Sequence, residues 1–280
     1  MANSQILYLE CDKRDYVEKF LAHNGMNYWM RVEDGKIDYQ RRMSWDTPWV
    51  YVKSPLWQNC HLWHKIYFDI IHQKKCVPIG CQSCWKVVIV PRTLEELFAT
   101  YFLQQFLGRP SKCGTETERD NTDKLYGGYF YNHSLEEGIE CHAAVVKAVT
   151  EIEVFQRVLF GCPIKVKFNK DPMPTIILKR ACTEFEQHVG PSDKWTVTPE
   201  QAEVEEFCNG IFVDDRIKPA QPDFAVAHIM KDWIHRAYKV GDESYQLFTN
   251  GNRLFAPVVT YHEKQGATQE GKKNGKKRTR

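Results

Sequence analysis

Four of the ten cysteines crowd into residues 60–84, as Cys60-x15-Cys76-x4-Cys81-x2-Cys84, with His61, His64 and His72 in the same stretch. A Cys-x2-Cys pair brings two thiolates onto one ion from a single tight turn, and Gly80 before Cys81 supplies the backbone freedom for it. Zinc takes four thiolate or imidazole ligands in a tetrahedron. Cys81 and Cys84 with two of Cys60, His64 and Cys76 would complete that set. With only one Cys-x2-Cys pair, chance enrichment of buried thiols is the alternative to this metal site, and the six scattered cysteines read as small core residues.

Four thiolates would also suit an iron–sulfur cluster. Cys76-Val-Pro-Ile-Gly-Cys81-Gln-Ser-Cys84 follows a strand-like Lys65–Ile71, the placement used by radical enzymes that cleave S-adenosylmethionine. The x4 spacing replaces their usual x3, and Ser83 stands where they commonly carry an aromatic residue.

A second group lies in Thr175-Ile-Ile-Leu-Lys-Arg-Ala-Cys-Thr-Glu-Phe-Glu186 and the following Gly190-Pro-Ser-Asp-Lys-Trp195. Here an apolar strand runs into Lys179 and Arg180, which could hold a phosphate. Glu184 or Glu186 would serve as general base or metal ligand, and Asp193 is grouped with them. A solvated loop with internal ion pairs is the alternative. Third, Tyr126-Gly-Gly-Tyr-Phe-Tyr-Asn132 offers Tyr129 and Tyr131 for stacking on bases, against the commoner use of strand aromatics as core.

Charge is unevenly spread. The formal net charge is +2, but Lys272, Lys273, Lys276, Lys277, Arg278 and Arg280 all lie in the last nine residues, so the rest of the chain is slightly acidic. A tail over 264–280 with this composition reads as a disordered basic arm that attracts phosphate backbones without reading sequence, or simply as a solubility tail. There is no phosphate-binding Gly-x4-Gly-Lys-Ser/Thr loop, no Gly-x-Gly-x2-Gly after a strand, and no His-Glu-x2-His or Gly-x-Ser-x-Gly. No run of about 18 apolar residues exists. The N-terminus lacks a basic region followed by an apolar stretch, so the expected location is cytoplasmic, with thiols kept reduced.

The elements that must position these groups follow from patterning. Asp34-Gly35 between Tyr28–Val32 and Lys36–Arg42 signals a hairpin, and Trp49–Lys53 reads as a strand. Trp85–Val90 is a buried β-branched run. Thr93 with Glu96 and Ser134 with Glu137 are capping boxes, opening helices over 94–107 and from 135 to about 160. The polar stretch 109–125 reads as a loop, while 127–132, 164–168 and 175–179 read as strands. Helices are expected over 200–209 and 224–240, and Asn250-Gly251 signals a second hairpin between 245–249 and 253–261. Alternating strands and helices with hairpins at both ends predict an α/β (mixed α+β) domain over 1–263, built on a mixed sheet with a metal-binding segment at 60–85.

Cys60-His-Leu-Trp-His64, Gly80-Cys-Gln-Ser-Cys-Trp-Lys-Val-Val88, Arg180-Ala-Cys-Thr-Glu-Phe-Glu186 and Gly190–Trp195 together resemble proteins of tailed bacteriophages. Among such phages are some that hypermodify thymine. The resemblance implies an amino acid:DNA transferase joining an amine to phosphorylated hydroxymethyluracil, working in the host cytoplasm with DNA and a small amino donor as partners. The leading expectation is therefore a metal-containing, DNA-modifying enzyme with zinc as its metal. The alternatives are a non-catalytic zinc protein that binds nucleic acid and a radical S-adenosylmethionine enzyme with an iron–sulfur cluster.

Overall fold

Trp85–Val90 becomes the organising strand because its β-branched run can be buried on both sides of a sheet. Val87, Val88 and Ile89 are all fully buried. The computed structural model describes residues 28–30, 37–39, 47–53, 77–116, 123–181, 190–197, 199, 201–202, 205–206, 210 and 221–255. Strands β1 (Tyr28–Met30) and β2 (Ile37–Tyr39) form the expected antiparallel pair. Then come β3 (Trp49–Lys53), a single helical turn α1 (Ile79–Gln82), β4 (Trp85–Val90), α2 (Leu94–Leu107), β5 (Ser111–Thr115), β6 (Tyr126–Asn132) and α3 (Leu135–Glu151). A hairpin of β7 (Phe155–Leu159) and β8 (Cys162–Val166) precedes β9 (Thr175–Arg180), and α4 (Asp223–Val240) leads to a 3-10 helix at Glu243–Phe248.

Five strands form one sheet in the order β3-β5-β6-β4-β9. Its core is a β4-α2-β5-β6-α3-β9 run, the split βαβ arrangement. Each helical crossover skips one position: β6 fills the gap between β4 and β5, and β4 fills that between β6 and β9. Strands joined through a helix therefore run parallel without touching. Every described pairing is antiparallel, which corrects the expected mixed sheet, while the mixed α+β composition holds.

Helix starts follow the capping signals. Thr93 accepts from Glu96 N and Ser134 from Glu137 N, each at 3.2 Å, and Gly108 closes α2 in the left-handed region. Helix α2 is buried nearly all round, as a helix packed on several sides must be: Leu94, Leu97, Phe98, Phe102 and Leu103 are at most 2% exposed. With α3 it covers one face of the sheet. Helix α4 inserts Ile229, Met230 and Trp233 into the same core; Trp233 meets Phe98 edge-on at 5.7 Å, and its indole donates to Pro48 O.

Three further expectations are corrected. Residues 109–125 are not all loop: Ser111–Thr115 pairs with β3 on one side and β6 on the other. Its inward residues are small, Ser111 and Cys113, so no apolar alternation advertised it. Helix α3 stops at Glu151 rather than near 160, because Phe155–Leu159 turns back through Phe160-Gly161 onto Cys162–Val166. Asn250-Gly251 does make a turn at positive φ, but the preceding residues 243–248 are a 3-10 helix capped by Asp242, not a strand. Helical residues at 201–202 and 205–206 agree with the helix expected over 200–209. The strand read at Lys65–Ile71 and the tail over 264–280 lie outside the described residues.

Candidate nucleic-acid interface

Side chains alternate across a strand, so register alone sorts the sheet into two faces. Val50, Cys113, Phe130, Val87 and Leu178 face the helices. The opposite face is laid out in rows. One row reads Tyr51, Lys112, Tyr129, Val88 and Ile177 across all five strands. The next reads Tyr131, Lys86 and Lys179 across β6, β4 and β9. Trp49, Gly114 and Gly127 occupy the row on the other side. The strands thus give this face three lysines and four aromatic rings, and Glu116, the residue after β5, adds a buried carboxylate. Trp49, Lys86, Lys112, Tyr129, Tyr131 and Lys179 are half-buried and Tyr51 is exposed, around a buried Val88 and Gly127.

Tyr129 is held by its surroundings. Its ring meets Trp49 edge-on at 5.6 Å, and its hydroxyl donates to the buried carboxylate of Glu116. Gly127 makes this possible: a Cβ there would stand 2.7 Å from Glu116 Oε1 and 2.9 Å from the Tyr129 ring. Lys112 Nζ lies 4.4 Å from the Trp49 ring centroid and 5.7 Å from that of Tyr129, and Lys86 Nζ lies 5.5 Å from Tyr129. These are cation–π distances. Rings with ammonium groups beside them can stack bases while neutralising the linking phosphates.

The expected phosphate pair does not share a face. Lys179 lies with Lys86 and Tyr131, whereas Arg180 pairs with Trp85 on the helix side. The Arg180 guanidinium sits 4.7 Å from the Trp85 ring centroid and 5.8 Å from that of Trp195. Asp193 is exposed in a 3-10 turn at Ser192–Lys194. Glu184 and Glu186 lie outside the described residues, as do Lys272, Lys273, Lys276, Lys277 and Arg278.

Of the proposed metal ligands, Cys81 and Cys84 are described. They are 1% and 2% exposed in a small cluster with Val77 and Ala181, flanked by Tyr131 and Trp195. Buried Glu205 braces the turn that carries Cys81 by accepting from Ile79 N, and Gln201 donates to Val77 O. Cys60, His64 and Cys76 lie outside the described residues. Among the described residues no three candidate ligands converge.

Sequence reading missed Trp49, Tyr51, Lys86 and Lys112 as members of this face. The alternation of Trp49-Val-Tyr51 was the available signal for two of them. Comparison with protein-family models, curated proteins and solved structures gives no significant match. Among the described residues no helix is long and apolar enough to cross a membrane.

Proposed function

We propose that this protein binds single-stranded nucleic acid, DNA in the first instance, across the sheet face that carries Tyr129, Tyr131, Lys86, Lys112 and Lys179. The reading rests on one observation: the Tyr131–Lys86–Lys179 row beside the Tyr51–Lys112–Tyr129 row, on the face turned away from α2 and α3. Four-stranded sheets can bind unpaired bases by stacking them on strand aromatics. A base already stacked within a duplex presents no free ring face, so an unpaired strand fits this surface best.

A base-modifying transfer reaction would be a further property of the same face. Of its expected catalytic residues only Lys179 is placed there; Arg180 lies on the other side of β9, and the two glutamates lie outside the described residues. Binding is therefore the function the geometry supports best. It is tested by titrating a fluorescein-labelled single-stranded DNA with the full chain and with Tyr131→Ala. Removal of one stacking ring is expected to cost about 1–3 kcal/mol. Equal affinities for the two proteins would refute the reading.

A further inference from the structure

The β7–β8 hairpin carries an exposed apolar tip in a backbone conformation that its sequence does not favour. Leu159 and Cys162 are the last paired residues, leaving the two-residue loop Phe160-Gly161. Both loop residues have positive φ, 49° and 83°. Such loops favour Asn or Gly at the first position, and a bulky side chain there is strained. Phe160 occupies it nonetheless, with 54% of its surface exposed, and Val158 is 69% exposed beside its cross-strand partner Pro163, also exposed. Leu159 and Ile164 on the other face of the hairpin pack against the main core, so the ribbon is anchored while its tip projects.

The strands of the hairpin are basic, while acids lie at its base, with Glu153 before Val154 and Asp171 after Lys170. From Val154 to Lys170 the chain holds Arg157, Lys165, Lys167 and Lys170 and no acid. Lys170 donates to Thr150 O and the Lys167 amide donates to Glu95, so these two sit at the hairpin's base. Arg157 and Lys165 are exposed on its strands. An exposed ring at the tip of a ribbon whose strands carry cations matches the way architectural proteins wedge an apolar side chain between base steps while contacting nearby phosphates. Holding to a bilayer would require a broad apolar face, and this tip offers three side chains.

We infer that the β7–β8 hairpin is a second nucleic-acid contact, a wedge that inserts Phe160 between the base pairs of a duplex segment. It goes beyond the sheet-face reading and stands on different residues. The test exploits the strained turn. Phe160→Asn installs a residue suited to left-handed backbone, so the variant should melt at a higher temperature than the parent chain, and a failure to fold cannot mimic loss of binding. A short fluorescein-labelled DNA duplex, a labelled single strand and vesicles containing anionic lipid are titrated with the parent chain, Phe160→Asn and Tyr131→Ala. Phe160→Asn should bind the duplex about tenfold more weakly and leave single-strand binding unchanged. Tyr131→Ala should do the reverse, which separates failure of one reading from failure of the other. Unchanged duplex affinity in Phe160→Asn would overturn the wedge, as would a loss confined to the vesicles.

Discussion

Tyr131 and Lys86 stand directly opposite each other across β6 and β4, and the same register carries on to Lys179 on β9. A tyrosine and two lysines thus occupy one row perpendicular to the strands. Lys86→Glu and Lys179→Glu should each weaken single-strand binding. Replacing either lysine by alanine should reduce the slope of log K against log salt by about 0.7, the share of one neutralised phosphate on a single strand. Anisotropy titrations at several salt concentrations read both effects; a slope unchanged in both alanine variants would remove these lysines from the contact.

Gly128 faces the helices where α2 comes closest to the sheet. A Cβ there would stand 2.4 Å from Thr100 Cγ2, and Thr100 is fully buried. Gly128→Ala should therefore cost about 1–3 kcal/mol through overpacking. Thr100→Ser removes the opposing methyl, so the double variant should recover part of that loss. Urea unfolding of the four proteins measures the coupling, and additive losses would contradict the close approach.

Glu96 ties the start of α2 to the segment between β8 and β9. It is 2% exposed and accepts from Arg92 N at 2.8 Å, Arg92 Nε at 3.1 Å and Asn169 N at 3.1 Å. Glu96→Ala strands those donors and should destabilise by about 2–4 kcal/mol. Its neighbour Glu95 behaves differently. Burial raises the Glu95 carboxyl above its ordinary range, against the lowering effect of the Lys167 amide and charge. The folded chain then holds that proton more tightly than the unfolded one, so the contribution to stability is present at low pH and lost as pH rises through the carboxylate range. Glu95→Gln should flatten that decline in denaturation curves recorded across acidic pH, and an unaltered pH profile would contradict it.

Burial also sets thiol reactivity. It pushes the Cys141 thiol up to about 11 and that of Cys113 well above its usual range, while Cys162 is exposed at the hairpin tip. Among these three, Cys162 should be alkylated first at neutral pH, with Cys113 and Cys141 reacting only on unfolding; mass spectrometry of timed iodoacetamide reactions decides it. We further propose that Cys81 and Cys84 hold zinc with two of Cys60, His64 and Cys76. Elemental analysis should then find one zinc per chain, lost in Cys81→Ser; a metal-free wild-type protein would rule it out.

Some of this architecture was legible from patterning because the cause was local. Thr93 and Ser134 each cap a helix through a contact three residues away, and Tyr129 and Tyr131 share a face because strand residues two apart must. That same rule separates Lys179 from Arg180, once 175–180 is a strand through its last residue. What patterning could not show was non-local. The strand at 111–115 is stabilised by partners on both sides rather than by its own apolar residues, and Lys112 becomes a site residue only through that pairing. Lys86 sits in a run dominated by buried valine and isoleucine, so its face depends on which neighbours β4 acquires. The metal expectation rests on spacing within 60–84, where only Cys81 and Cys84 of the expected ligands lie among the described residues.

The most direct test of the sheet-face account is the affinity of the full chain for a labelled single-stranded DNA, measured beside Tyr131→Ala and the Lys86→Glu/Lys179→Glu double variant with melting curves as the control for folding. The account predicts salt-sensitive binding by the parent chain and at least about tenfold weaker binding by each variant at a temperature where its melting curve shows it folded. Single-strand binding that survives both sets of substitutions, or is absent from the parent chain, would contradict it.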